Sequence, residues 1–332
     1  MKLSHAKTQR REEEKKADLQ GFSDLDRHFA RFIGRFGGGE RVQFAAAHLS
    51  RAVRQGHICL DLATAPVSDT GEENAWPALA EWLDALRDSR AISSPEGVEP
   101  TPLVLDHAGR LYLRRYFDYE TELARALLAR AATVGSASRE GQAAAIEAAL
   151  VNPLTVISGG PGTGKTTTIV GLLLRLLHPG ETPLRLALSA PTGKAAARLE
   201  QTIRNGLVQN DRTDLLAAIP RASTLHRLLG SRHDSPYFRH HAGNPLALDL
   251  LVVDEASMVP LPLMAKLFDA LPTGARVILL GDRDQLASVD PGNVLADIVD
   301  AATVPGSNLQ GALVVLKKKL PVWQRQRHLP TL

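Results

Sequence analysis

The rhythm of hydrophobic and polar positions changes partway along the 332-residue chain. Residues 1–20 are polar and charged with no apolar stripe, the pattern of a frayed or partly helical leader. From 21 to 130 apolar positions recur mostly at helical spacing. Phe22, Leu25, Phe29, Phe32, Ile33 and Phe36 precede a GGG break at 37–39, RVQFAAAHLSRAVRQGH gives a second helix, and WPALAEWLDALRDS a third. PLVLDHAGRLYLRRYF reads as two short strands about a turn at 107–109, and YETELARALLARAA returns to helix. The aromatic stripe of the first helix is expected to lie in the core. No residues in this span have catalytic spacing, which suits a partner-binding domain. Small residues over 131–140 predict a linker.

From 141 the pattern becomes alternating strand and helix. LTVISG (154–159), LRLALSA (184–190), DLLVVDEA (249–256) and RVILLGD (276–282) are short continuous apolar runs, as expected of parallel strands buried on both faces. The alternation over 141–316 predicts an α/β parallel sheet with helices on both faces, preceded by the smaller, mainly helical domain.

Composition narrows the class. With 44% hydrophobic and 23% charged residues, widespread disorder is excluded. A single cysteine, Cys59, excludes a scaffold of intrachain disulfides. No apolar run approaches the roughly 20 residues that span a bilayer, and the charged N-terminus lacks a signal-peptide core, so a cytoplasmic protein without membrane contact is expected. The net charge is +3, but the segment 317–332 carries five cations and no acid, so the rest of the chain stands at −2. The basic balance is therefore no argument for nucleic acid.

The candidate chemistry lies at the ends of the apolar runs. GGPGTGKTT (159–167) fits the P-loop pattern, following a strand and opening a helix. Gly159, Gly160, Pro161, Gly162, Thr163 and Gly164 let backbone N–H groups wrap a phosphate, and the helix N-terminus at Thr167 adds partial positive charge. Lys165 is expected to reach the β- and γ-phosphates of ATP, and the Thr166 hydroxyl to ligate Mg²⁺. In LLVVDEAS, Asp254 ends an apolar strand, where it would hold Mg²⁺ through water, and Glu255 would polarise the attacking water. VILLGDRDQL ends a further strand and places Gln285 on the next loop, as a sensor of the γ-phosphate. Gln142 precedes the first strand by about a dozen residues, and its amide has the donor and acceptor that an adenine edge requires. In APTGKAAARL an exposed turn offers Pro191, Thr192 and Lys194 to a DNA backbone, and STLHRLLG offers Thr224, His226 and Arg227. Either segment, taken alone, is more often an ordinary structural turn.

Together GQAAAIEAAL, ISGGPGTGKTTT, SAPTGKAAARL, STLHRLLG, VVDEASMV and GDRDQLASVDPGNVLADI resemble superfamily 1 DNA helicases, and within them the RecD family, alpha subunits of exodeoxyribonuclease V (RecBCD). Upstream, GHICLDLA and PLVLDHAGRLYLRRYFDYE are similar to that family's N-terminal domain. The resemblance covers about residues 20–316 and implies a RecA-like ATPase domain at 141–316. It further implies a 5′→3′ motor on single-stranded DNA, acting on the 5′-ended strand with RecB and RecC in double-strand-break repair. Carried over by position, Gln142 meets adenine, Lys165 and Thr166 the phosphates and Mg²⁺, Asp254 and Glu255 are the metal-binding and catalytic acids, and Gln285 senses the γ-phosphate. An ABC ATPase is disfavoured because LSGGQ is missing, and APTGKAAARL with GDRDQL favours the helicase over an AAA+ machine.

The family continues past this length with a second RecA-like domain, so the resemblance implies a truncated chain that binds ATP, hydrolyses it slowly and unwinds nothing. The alternative is an inactive ATP- or partner-binding remnant. Where the family runs into a segment like LKKSYRF, this chain reads LKKKLPVWQRQRH. One permissible back-translation, with one A dropped from the run at 317–319, restores KKSYRF, so the chain from about Lys319 onward is expected to be a frameshift product, within a tail, 317–332, that lies outside the family.

Overall fold

The computed structural model describes residues 21–37, 39–64, 78–131, 139–177, 184–235, 237–285, 290–304 and 312–316, with Ser307 and Leu309. The expected leader at 1–20, most of the expected linker and the segment 317–332 lie outside the described residues. The chain divides into two compact units, Met1–Glu120 with Val289–Gly292 and Thr121–Ser288 with Asn293–Leu332.

In the first unit, α1 (Asp24–Gly34) packs on α2 (Glu40–Arg54). Ser23 caps α1 by accepting from the Asp26 N–H, while the Asp26 carboxylate accepts from the Ser23 N–H at 3.1 Å, a reciprocal capping box. Four short strands follow: β1 (Cys59–Asp61), β2 (Ile92–Ser93), β3 (Leu103–Leu105) and β4 (Arg110–Leu113), with α3 (Leu79–Arg87) before β2. They form a sheet of order β1-β4-β3-β2. The β3–β4 hairpin turns at Gly109, whose φ of +80° suits glycine. Trp82, Leu86, Leu49, Leu103 and Leu111 fill the core, with the Phe44 ring stacked on Trp82 at 5.8 Å.

The aromatic stripe departs from expectation. Phe22 and Ile33 are buried, but Leu25, Phe32 and Phe36 are 60%, 47% and 44% exposed. The inward face of α1 is Asp26, Ala30 and Ile33 instead. Asp26 is the reason: Ser50 and Arg54 of α2 both donate to its carboxylate, at 2.7 Å each, which turns that face toward α2 and leaves the aromatic edge outside.

The helix α4 (Arg114–Ala131) begins in the first unit and runs past the division at Glu120 into the second. A seven-stranded sheet follows, built from β5 (Arg139–Glu140), β6 (Leu154–Gly159), β7 (Leu186–Ala190), β8 (Ser223–Thr224), β9 (Leu250–Val253), β10 (Arg276–Gly281) and β11 (Leu313–Leu316). Its order is β5-β11-β6-β10-β9-β7-β8, and every pairing is parallel. The four expected runs are all strands, though β7 and β9 are shorter than their apolar runs. Between the strands lie α5 (Gln142–Val151), α6 (Lys165–Leu176), α7 (Gly193–Gln209), α8 (Leu225–Leu229), α9 (Leu261–Asp269) and α10 (Val294–Thr303). Val252 and Ile278 pack with Ile169, Leu172 and Ile203 of α6 and α7, while Leu251, Val253, Val277 and Leu279, on the opposite face, are also fully buried. Both faces are covered, which is why these strands read as unbroken apolar runs.

The strand order has a direct consequence for function. β6, β10, β9, β7 and β8 are neighbours and point the same way, so their C-terminal ends stand side by side along one edge. The loops leaving those ends begin at residues 160, 282, 254, 191 and 225.

Candidate active site

Open parallel sheets present their ligands at the carboxyl ends of the strands. There the loop after β6 curls into the N-terminus of α6, with positive φ at Gly162 (+74°) and Gly164 (+88°), conformations that point consecutive N–H groups into one hollow. Thr163 Oγ1 donates to the Gly160 carbonyl at 2.9 Å, and Thr168 Oγ1 to that of Gly164 at 3.0 Å. Lys165 Nζ donates to the carbonyls of Gly159 and Gly160, closing the loop upon itself. Gln142, the first residue of α5, sits behind the loop and donates from Nε2 to the Thr163 carbonyl at 3.4 Å.

The hollow is a cavity of about 330 Å³. Gly160 to Thr167 line one side, and Asp254, Glu255, Gly281, Asp282 and Gln285 another. The carboxylates expected opposite the lysine are therefore in the same cavity as it. Asp254 is fixed by its N–H to the Ser189 carbonyl at 2.9 Å, and its Oδ1 accepts from the Glu255 N–H at 2.9 Å. Burial pushes the Asp254 carboxyl above its usual range, while the Glu255 N–H and the charges of Lys165 and Arg198 pull against that rise. Burial likewise lowers the Lys165 ammonium, opposed by Asp282 and Asp254. These influences place the lysine within electrostatic reach of both aspartates.

Glu255 adopts a left-handed backbone, φ +51°, ψ 39°, which costs a non-glycine residue about 1–2 kcal/mol. The conformation reverses the chain at the strand end, and the Met258 N–H donating to the Glu255 carbonyl holds it. Ser257 Oγ donates to Gln285 Oε1 at 3.2 Å, which fixes the amide orientation and leaves Nε2 as the group with protons to donate.

The turns expected to meet DNA stand on the next two strand ends along the edge, outside the cavity lining. Ala190 pairs with Thr224 in register, so the turn at 191–194 and the start of α8 are adjacent. Both threonine hydroxyls are engaged as helix caps: Thr192 accepts from the Ala195 N–H at 3.2 Å and Thr224 from the Arg227 N–H at 3.3 Å. Lys194 is exposed, and the His226 ring lies edge-on to Phe238 at 5.8 Å.

Sequence reading missed Arg198, Leu199 and Thr202 of α7, which also line the cavity, and gave no role to Asp282 or Ser257. The available signal was the spacing of Lys194, Arg198 and Thr202, four apart along a helix that leaves a strand end.

The donor set suits Mg²⁺. Among the described residues no group of three or more His, Cys, Asp and Glu forms a metal cage. The Thr166 hydroxyl and the Asp254 carboxylate are hard oxygen donors in one cavity, and Mg²⁺ in phosphate sites takes one or two protein ligands and completes its shell with water and phosphate. Among the described residues no helix is long and apolar enough to cross a membrane.

Two family models match the chain. One, described as the RecBCD enzyme subunit RecD, N-terminal domain, covers residues 18–112; the other, described as an AAA domain, covers 142–291. The chain is 43% identical over 281 residues to the RecBCD enzyme subunit RecD of Mycobacterium tuberculosis, covering 80% of this chain and 48% of that one. It is 49% identical over 180 residues to the protein of that name from Haemophilus influenzae, covering 52% and 28%. To the ATP-dependent RecD2 DNA helicase of Deinococcus radiodurans it is 39% identical over 210 residues, covering 58% and 27%. The chain thus spans about half the length of the mycobacterial relative and less of the others.

Proposed function

We propose, from its match to the RecD N-terminal model and its identity to RecD subunits, that the chain is of the RecD family and that its second unit is the nucleotide-binding part of an ATP-driven 5′→3′ DNA helicase subunit, working with RecB and RecC on single-stranded DNA in break repair. One observation carries the reading: the phosphate loop, the Asp254–Glu255 pair and Gln285 arise from three separate strands and line a single cavity.

The residues then divide the work. The N–H groups of the loop and of the first turn of α6 bind phosphate oxygens, and Lys165 exchanges its loop carbonyls for the β- and γ-phosphates. Thr166 and Asp254 would hold Mg²⁺, which when bound would neutralise charge that develops on the phosphates. Glu255, turned inward by its left-handed backbone, accepts the proton of the attacking water. Gln285, oriented by Ser257, donates from Nε2 to the γ-phosphate and loses that bond on hydrolysis. Gln142, already against the loop, reads the adenine edge. The adjacent ends of β7 and β8 are the DNA side, where Pro191, Thr192, Lys194, Thr224 and His226 meet the backbone, so a change in the cavity is transmitted along one sheet edge. The first unit, matched by the RecD N-terminal model, is the surface for the other subunits.

The test is nucleotide binding and ATPase activity of the purified 332-residue chain with Mg²⁺, with and without an oligo(dT) strand. Binding of Mg²⁺–ATP that is abolished in Lys165→Ala is expected, and an unchanged affinity in that variant would refute the site. Turnover stimulated by DNA supports a motor, and binding without stimulation supports a nucleotide-binding module.

A further inference from the structure

Three of the four segments around the cavity are strand ends in the middle of the sheet. The fourth is the flank of α7, which supplies Arg198 and Thr202. Residues four apart share a helix face, so Lys194, Arg198 and Thr202 form one polar row, while Leu199, Ile203 and Leu207 are buried against the sheet. α7 also rests closely on α6, the helix that opens from the phosphate loop. The contact is at Gly206, where an added methyl group would come within 2.6 Å of Val170 Cγ2. Arg198 therefore stands on a fixed platform.

Its guanidinium makes no hydrogen bond or ion pair among the described residues. Arg204, further along the same helix, is by contrast tied to Glu200 and to the carbonyls of Leu216 and Ile219. Arg198 nevertheless lines the same cavity as Lys165 and Asp254. On the nucleotide reading Asp254 is a ligand of the metal, so its end of the cavity is where the terminal phosphate would lie. A planar guanidinium fork matches two oxygens of a phosphate, which a lysine ammonium does not.

We propose that Arg198 binds the terminal phosphate of the nucleotide, as a second cation beside Lys165 supplied from α7 of the same unit. The proposal rests on the nucleotide reading above and adds to it a residue that distinguishes triphosphate from diphosphate.

Calorimetric titration of the full chain with Mg²⁺–ATPγS and with Mg²⁺–ADP tests it. Arg198→Ala is expected to weaken ATPγS about tenfold, the loss of a charge-assisted contact, and to change ADP little. Arg198→Lys restores part of the loss because it keeps the charge without the fork. Arg212→Ala, on an exposed pair with Asp214 away from the cavity, is the control and binds as the wild type. Unaltered ATPγS affinity in Arg198→Ala overturns the proposal. Equal weakening of both nucleotides also overturns it, since the contact would then be to a group they share. Should Arg198→Ala fail to melt cooperatively, Arg198→Lys carries the comparison, and wild-type discrimination in that variant overturns the proposal as well. If the wild type binds neither nucleotide, the nucleotide reading falls and this proposal with it. Failure at Arg198 alone leaves that reading standing.

Discussion

Asp26 and His48 face the same problem of burial in the first unit and solve it in opposite ways. Burial disfavours the Asp26 carboxylate, but hydrogen bonds from Arg54, Ser50 and Ser23 outweigh it and hold the pKa down to about 2, against 3.8 ordinarily. His48 lies among Phe22 and Phe44, and burial, helped by the charge of Arg51, lowers it from 6.5 to about 4. Both shifts make acid destabilising, in different windows. Above pH 6.5 His48 is neutral in both states and contributes no slope. Between 6.5 and 4 the unfolded chain takes up a proton that the folded chain refuses, so stability falls as pH falls, by about 3 kcal/mol over the window. Asp26 contributes fully above pH 4, and its share, about 2 kcal/mol, is lost as pH falls toward 2. Denaturant unfolding followed by intrinsic fluorescence, to which buried Trp82 contributes, should show a slope between pH 6.5 and 4 that His48→Gln flattens. The same slope in that variant would remove His48 from the account. Asp26→Asn should lower stability at pH 7 by about 2 kcal/mol and flatten the response below pH 4. Neither residue stood out in the sequence, since Asp26 interrupts an aromatic run and its partners Ser50 and Arg54 lie on another helix.

Glycines decide how closely the helices of the second unit approach, and two of them differ in a testable way. At Gly206 of α7 an added Cβ would meet both γ carbons of Val170, at 2.6 and 3.0 Å, and its Cβ at 3.3 Å. Valine is β-branched and confined to one rotamer in a helix, so it cannot swing aside. At Gly171 of α6 the added atom would meet only the tip of Ile146, Cδ1 at 2.7 Å, which can rotate. Alanine gains about 1 kcal/mol of helix propensity at either site, whereas overpacking costs about 1–3 kcal/mol. Gly206→Ala should therefore lower the melting temperature while Gly171→Ala leaves it nearly unchanged, and equal shifts would contradict this account of the α6–α7 contact. The same elements show what could be read in advance. β6 and β10 were legible because six and five consecutive buried residues leave a continuous, mostly apolar run, and the phosphate loop because its chemistry is local to nine residues. β5 and β8 were not, being two residues long and defined by pairing rather than by composition. Arg198 was hidden for a related reason: which face of α7 meets the cavity is set by packing at Leu199 and Ile203.

Each unit carries its own hydrophobic core, one around Trp82 and Leu103, the other around Ile157, Ile169 and Val252. Separate cores allow separate melting, and the two units are tuned by different ligands. Protons act on the first through His48. In the second, burial raises the Asp254 carboxyl, so the folded form there binds the proton more readily and acid contributes stability rather than removing it. Mg²⁺–ATP at 100 times its dissociation constant should stabilise only the unit that holds the cavity, by about 2.7 kcal/mol, or about 5–10 °C for a domain of this size. Scanning calorimetry of the full chain should then resolve two transitions. One should rise with Mg²⁺–ATP and lose that rise in Lys165→Ala; the other should ignore the nucleotide and fall between pH 6.5 and 5 unless His48 is replaced. A single transition that answered to both protons and nucleotide would mean that the cores unfold as one, and the division at Glu120 would then carry no thermodynamic meaning.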